Sequence, residues 1–379
     1  MMRPVLWWSN APTVGTGYGT QSKQVLDRLA FYTTVEFVAN YGVEGAPSEY
    51  RTPLGLKIPM WPRGFAPFSQ DVIGTYWDDF KSSNPDAVYI GLADAFVLQP
   101  DVYENVPMML WTPVEHVPCP PDLLRVFGPT SQVRPIAMSR FGQAELAKAE
   151  IDAPYIPHGL EPTFRITEGG GELMGVPDDS FVFSIVAANK YHSPERKRFS
   201  TQMVAFQAIA KKHPDTFLYI HADSHAPQSI GLVDLVNTLG LQGRVMFADR
   251  KRYNRWGYSS SDLAAIYTRT NMVLSASMGE GFGLCPLEAA ACGTPSIVSD
   301  FSAQPELACE DSLLVDGQLE WHQGRKAFLF IPYVDSLVEA MDFAYENPIY
   351  RSDAALELAA QYDADRVFAD YWLPYLRGL

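Results

Sequence analysis

The stretch MVLSASMGEGFGLCPLEAAACGTPSIVSD, residues 272–300, reads as a strand, a glycine-rich loop, a short helix and a second strand. An apolar run opens it at 272–276. Gly281 and Gly283 then let the backbone come close to a ligand with no Cβ in the way. Pro286 suits a first helical turn and Gly293 a position just past the last, which bounds the helix within LCPLEAAAC, 284–292. PSIVS, 295–299, closes the unit as a buried strand. A helix that begins at a strand's carboxyl end offers N–H groups and a positive dipole end to an anion.

The same alternation extends on both sides. Upstream lie short apolar runs at 181–188, 216–221 and 244–248. Between the runs fall FSTQMVAFQAIAKKH, IGLVDLVNTLG and SDLAAIYTRT, each with apolar residues spaced by three and four, as crossover helices require. The order of elements predicts a doubly wound, Rossmann-like domain built on a parallel sheet. The N-terminal half repeats the pattern, with strands expected at 4–8, 34–39, 86–92, 107–111 and 134–139. FRITEGGGELMGVPDDS, 164–180, has a Gly triplet and no periodicity and reads as a linker. The aromatic-rich segment after Ser352 is helical in pattern.

With 379 residues, two domains are expected. A net charge of −15 argues against a general duplex-binding protein, which needs a basic surface to displace counterions, so no nucleic acid is expected as a partner. One concentrated basic spot stands out, KYHSPERKR at 190–198, able to meet a small anion or to serve as a solvated loop. Cys119, Cys285, Cys292 and Cys309 form no CxxC pair and have no His at zinc-ligand spacing, so neither a metal site nor a disulfide framework is expected. No secretion signal and no run near ~20 apolar residues is seen, which predicts a cytoplasmic chain without a membrane span. Nothing in the sequence bears on oligomeric state.

Glu280 and Glu288 lie eight apart, in the loop and early helix, where both face a ligand resting on the helix start. A carboxylate accepts two hydrogen bonds from vicinal hydroxyls, the usual grip on a ribose or hexose diol. Taken singly, Glu280 reads more readily as a capping carboxylate and Glu288 as an exposed helix residue.

The whole string EGFGLCPLEAAACGTPSIVSD resembles the E-x7-E signature of family 4 retaining glycosyltransferases, which have the GT-B fold. The resemblance continues through AANKYHSPERKRFSTQMVAFQAIAKKHPDTFLYIH and GLQGRVMFADR, and more weakly into MSRFGQAELAKAEIDAPYIPHGLEPTF, 138–164. It implies an α/β chain of two Rossmann-like doubly wound domains facing a central cleft. These would be an acceptor domain at 1–165, a sugar-nucleotide donor domain at 166–355, and a helix at 356–379 packing back toward the first domain.

Carried over by position, the resemblance implies that Glu280 contacts donor sugar hydroxyls and Glu288 the ribose diol. The backbone of Gly281, Phe282, Gly283 and Leu284 would approach sugar and phosphates. Lys197 matches the family's diphosphate-binding Lys. The family's Arg falls on Lys190, which keeps the charge but loses the planar fork, with Arg196 or Arg198 to compensate. Gly17 and Gly19, within GTGYGTQ, match a loop facing donor and acceptor. His116, or its neighbour Glu115, matches a residue lining the sugar site, and Arg250 borders the base pocket.

The implied reaction moves a hexose-type sugar from a UDP or GDP donor to an acceptor hydroxyl with retention, without an obligatory metal or cofactor. The acceptor would be a glycan, a small molecule or a protein. A sugar-nucleotide epimerase or hydrolase of the same fold, and a non-catalytic nucleotide-sugar binder, are the alternatives. Aromatic patches at 61–68 and 111–118 are read either as core or as platforms for sugar rings.

Overall fold

Buried on both faces, the strands of a parallel sheet read as unbroken apolar runs, and here those runs build two separate sheets. The computed structural model describes residues 2–190 and 193–379. They form two units. The first takes in residues up to Glu161, His322–Ala327 and Tyr362–Leu379; the second takes in Pro162–Trp321 and Phe328–Gln361.

The first unit holds strands β1 (Val5–Asn10), β2 (Val35–Tyr41), β3 (Ser48–Arg51), β4 (Lys57–Trp61), β5 (Val88–Leu92), β6 (Met108–Thr112) and β7 (Val133–Ala137). Their spatial order is β3-β4-β2-β1-β5-β6-β7, parallel except for β3 at the edge. Helices α1 (Gly17–Leu29), α2 (Ile73–Ser83), α3 (Pro100–Tyr103), α4 (Pro121–Val126) and α5 (Arg140–Lys148) cross between them. Near the C-terminus, Trp372 packs against Trp7 at 5.5 Å and against Trp111 at 5.0 Å between ring centroids. Such pairs contribute roughly 0.5–1.5 kcal/mol each beyond the area they bury.

The second unit opens with α6 (Gly170–Met174), then β8 (Phe181–Val186), α7 (Phe199–Lys212), β9 (Thr216–His221), α8 (Leu232–Leu239), β10 (Val245–Phe247), α9 (Arg250–Arg255), α10 (Ser260–Arg269), β11 (Met272–Ser275), α11 (Leu284–Ala291), β12 (Ser296–Ser299) and β13 (Leu313–Val315). A hairpin of β14 (Gly317–His322) and β15 (Ala327–Pro332) follows, then α12 (Val334–Glu346) and α13 (Asp353–Ala360). The six-stranded sheet runs β10-β9-β8-β11-β12-β13, parallel throughout. Alternate residues serve opposite faces. Phe181, Phe183 and Ile185 join α7 and α12 in one core, while Val182 joins Met174 and Ile266 in another.

Three features depart from the sequence reading. The stretch 164–180, expected as a linker, contains α6, bounded by Gly169 and Gly175 in left-handed backbone. A Cβ on Gly170 would stand 2.0 Å from the Ala265 carbonyl oxygen, so this glycine serves close packing on α10 rather than flexibility. β13 and the β14–β15 hairpin were not anticipated, because β14 (GQLEWH) is mostly exposed and polar and lacks a buried strand's apolar run. β3 and β4 were missed for the same reason, an edge pair that buries alternate residues only.

Candidate functional site

In the second sheet the strand order reverses between β8 and β11. Chains leaving these two strands diverge to opposite faces and leave a crevice at their carboxyl ends, the usual ligand position in such sheets. Two segments with chemical signals meet there, the basic stretch after β8 and the glycine-rich loop after β11.

Glu280 is the meeting point. Its side chain is buried, with Lys197 Nζ 2.5 Å from Oε1 and Arg196 Nη1 3.2 Å from Oε2. Arg196 also donates to the Gly279 carbonyl at 2.7 Å, and the Met278 N–H donates to the Arg196 carbonyl at 2.8 Å, so the two loops are stitched along their backbones. Burial pushes the Glu280 carboxyl up. The charges of Lys197 and Arg196, with hydrogen bonds from Lys197 and Ser277, more than offset this and hold it down to about 2. It is therefore an anion at neutral pH.

The loop ends at Gly283, whose φ of +115° begins α11 with no side chain capping the helix. That backbone favours glycine, and a Cβ there would also press on Leu307 Cδ1 at 3.3 Å. Gly281 and Phe282 are buried beside it and Leu284 is half-buried. Glu288, just beyond the first helical turn, accepts from the Tyr267 hydroxyl at 3.0 Å, and burial raises that hydroxyl well above its ordinary value. By contrast, Glu195 receives Ser200 N–H at the start of α7, so a carboxylate already occupies the end of that helix.

The other expected residues fall as follows. Lys190 is exposed beyond β8, while Arg196 is the arginine beside Glu280. Tyr191 and His192, within the basic stretch, lie outside the described residues. Arg250 opens α9 and pairs with Asp223 at 3.3 Å. In the first unit, Gly17 opens α1 after β1, capped by Thr16 Oγ1 accepting from Gly19 N–H at 3.0 Å. A Cβ on Gly19 would lie 2.5 Å from the Val14 carbonyl oxygen, so its bareness serves packing of the turn. His116, buried after β6, stacks on His322 at 6.0 Å, and Glu115 is half-buried. Of the aromatic patches, Trp111 is buried and Trp61 stacks on Tyr76 at 5.9 Å, whereas Phe65 is fully exposed.

Four positions had no sequence signal. Tyr267 holds Glu288, and Ser302 Oγ accepts from the Glu280 N–H at 2.9 Å. Gln202 donates to the Lys197 carbonyl at 2.8 Å and accepts from Ala276 N–H at 3.3 Å, tying the Lys197 loop to the end of β11. Gln304 accepts from Ser277 Oγ at 3.3 Å. Such residues act by holding others, which chain spacing does not reveal. Among the described residues, no group of three or more His, Cys, Asp or Glu is placed to hold a metal ion.

Residues 190–360 match the family described as glycosyl transferases group 1. The D-inositol 3-phosphate glycosyltransferase of Corynebacterium kroppenstedtii is 30% identical over 165 residues, 40% of this chain and 33% of that protein. Its counterpart in Rhodococcus opacus is 35% identical over 88 residues, 23% of this chain and 18% of that protein. The chain thus spans a third or less of the length of these relatives. Among solved structures, sucrose-phosphate synthase of Thermosynechococcus elongatus superimposes with a TM-score of 0.77 at 16% identity, covering 99% of this chain and 98% of that one. HepE of Anabaena, in complex with UDP-glucose, gives 0.67 at 15% identity, covering 99% and 100%. WaaG, a glycosyltransferase involved in lipopolysaccharide biosynthesis, gives 0.65 at 12%, covering 98% and 97%. The fold is that of the GT-B glycosyltransferases.

Proposed function

We propose that the chain is a family 4 glycosyltransferase that moves a hexose-type sugar from a UDP or GDP donor to an acceptor hydroxyl, with retention and without a metal. The observation that carries the reading is the convergence of Lys197 and Arg196 on Glu280 beside the uncapped start of α11. Departure of a nucleoside diphosphate develops negative charge, which two cations and a helix dipole stabilise in place of a metal ion. The match to group 1 glycosyl transferases over 190–360 covers both segments. That HepE is described with UDP-glucose makes a UDP sugar the first donor to try.

In the transfer, the bond between the anomeric carbon and the diphosphate oxygen breaks as one to the acceptor oxygen forms on the same face. The acceptor proton passes to the departing diphosphate. Glu280, paired to two cations, orients sugar hydroxyls rather than attacking carbon, and Glu288 holds the ribose diol. Gly17, Gly19 and His116 are assigned to the donor and acceptor side and Arg250 to the base. The acceptor is a soluble glycan, small molecule or protein. Four free cysteines fit a reducing compartment, and we place the activity in the cytoplasm. Among the described residues no helix is long and apolar enough to cross a membrane.

Incubation with UDP- and GDP-sugars radiolabelled in the sugar, with and without a mixed acceptor pool, tests the reading. Label on an acceptor hydroxyl, unaffected by a chelator, is expected. Label released to water alone identifies a hydrolase, and binding without release a non-catalytic protein.

A further inference from the structure

Lys197 and Arg196 both spend their charge on one carboxylate whose side chain is 10% exposed, while their own side chains remain 24% and 37% exposed. A ligand reaches the cations from solvent; it does not reach the buried carboxylate as easily. An arriving diphosphate draws the cations toward itself and leaves Glu280 with the Ser277 hydrogen bond but without its counter-ions. A buried charge deprived of its counter-ion costs far more than the intact pair contributes. The Glu280 backbone N–H donates to Ser302 Oγ at 2.9 Å, which holds the loop backbone in place.

We infer that Glu280 is an internal counter-anion that couples diphosphate binding to the presence of the sugar, so that the intact nucleotide sugar is held in preference to the free nucleoside diphosphate. This rests on the donor site proposed above. Sugar hydroxyls lying against the carboxylate donate hydrogen bonds to it and replace what the cations withdraw. A free nucleoside diphosphate brings no such donors. Once the sugar has moved to the acceptor, Glu280 reclaims Lys197 and Arg196 and loosens the leaving diphosphate. One carboxylate thus favours substrate entry and product exit in the same cycle.

The test is calorimetric binding of inorganic pyrophosphate, UDP, UDP-glucose, GDP and GDP-mannose to the full chain and to its Glu280→Gln variant, which keeps the side-chain shape. In the wild type, the sugar nucleotide is expected to bind at least about tenfold more tightly than its diphosphate. In Glu280→Gln, pyrophosphate and the nucleoside diphosphate gain at least about tenfold, and the preference for the sugar nucleotide disappears. If the variant merely loses affinity for the sugar nucleotide, with pyrophosphate and nucleoside diphosphate unmoved, Glu280 is an ordinary sugar contact and the coupling is wrong.

A second arm uses only the wild type. Among deoxyfluoro analogues of the sugar nucleotide, whose fluorine cannot donate, at least one is expected to bind no better than the bare nucleoside diphosphate. Equal affinity for every analogue and the parent overturns the coupling. Should pyrophosphate gain in the variant while no sugar nucleotide binds either protein, the donor assignment fails and the anion competition at Lys197 stands.

Discussion

At the scale of single residues, the second unit turns on how Lys197 and Glu288 are held. Lys197 is placed by Gln202 beneath it and Glu280 in front of it; Glu288 is placed by the buried hydroxyl of Tyr267. We expect Lys197→Ala and Glu288→Ala to abolish donor turnover with the circular dichroism of the wild type, the melting temperature of Lys197→Ala being the lower of the two because the buried Glu280 carboxylate loses its nearer cation. Tyr267→Phe keeps the packing and removes a hydrogen bond to a charged group, which should cost roughly 1.5–3 kcal/mol of stability and, by freeing Glu288, raise KM for the donor with kcat less affected. Steady-state kinetics on the three variants decides, and wild-type turnover in both alanine variants removes the site assignment. Glu280 and Glu288 stood out as a pair by their spacing, and only the resemblance of the whole segment to a family signature singled them out from a capping and an exposed carboxylate. Arg196 as the second cation was not, because which of Lys190, Arg196 and Arg198 meets the carboxylate depends on how the loop after β8 turns.

At the scale of elements, glycines that look alike in sequence do different work. Gly283 takes a left-handed φ at the start of α11, where the loop must turn sharply into the helix. Gly170 has no unusual backbone, yet a Cβ there would meet both the Ala265 carbonyl oxygen at 2.0 Å and Arg269 Cβ at 2.7 Å. Backbone atoms cannot yield as a flexible side chain does. Gly170→Ala should therefore force α6 away from α10 and cost roughly 1–3 kcal/mol, as overpacking does. A urea midpoint equal to that of the wild type would show that α6 docks loosely and that the segment behaves as the linker its composition suggests. The crossover helices themselves were readable, since three- and four-residue apolar spacing reports a buried stripe. The β14–β15 hairpin was not, because its exposed faces carry no such period.

At the scale of the whole molecule, each unit buries a histidine in its neutral form. Burial holds His158, in the first unit, down to about 3; burial and the Arg252 charge hold His221, in the second, down to about 4. In the unfolded chain both ionise near ~6.5. The folded values are the lower ones, so the unfolded state takes up more protons across the interval, and stability present above ~6.5 is lost as the pH falls toward the folded values. At about pH 5 each histidine should subtract roughly 2 kcal/mol. Glu280 acts in the same direction in a lower window, between its ordinary value of 4.5 and about 2. Urea denaturation at neutral pH and near pH 5 checks this: the wild type should lose stability and His221→Gln should lose less, and identical midpoints for the wild type at both pH values would refute it. Apolar periodicity and the glycine and proline pattern at 272–300 were enough to determine two α/β units and the strand-loop-helix-strand unit at 272–299, because these are local properties of the chain. Only the tertiary structure decided that the basic stretch after β8 closes on Glu280, that Tyr267 holds Glu288, and that Gly19 and Gly170 serve packing. Those outcomes depend on which segments the strand order β9-β8-β11-β12 brings side by side, and that order is a property of the assembled sheet.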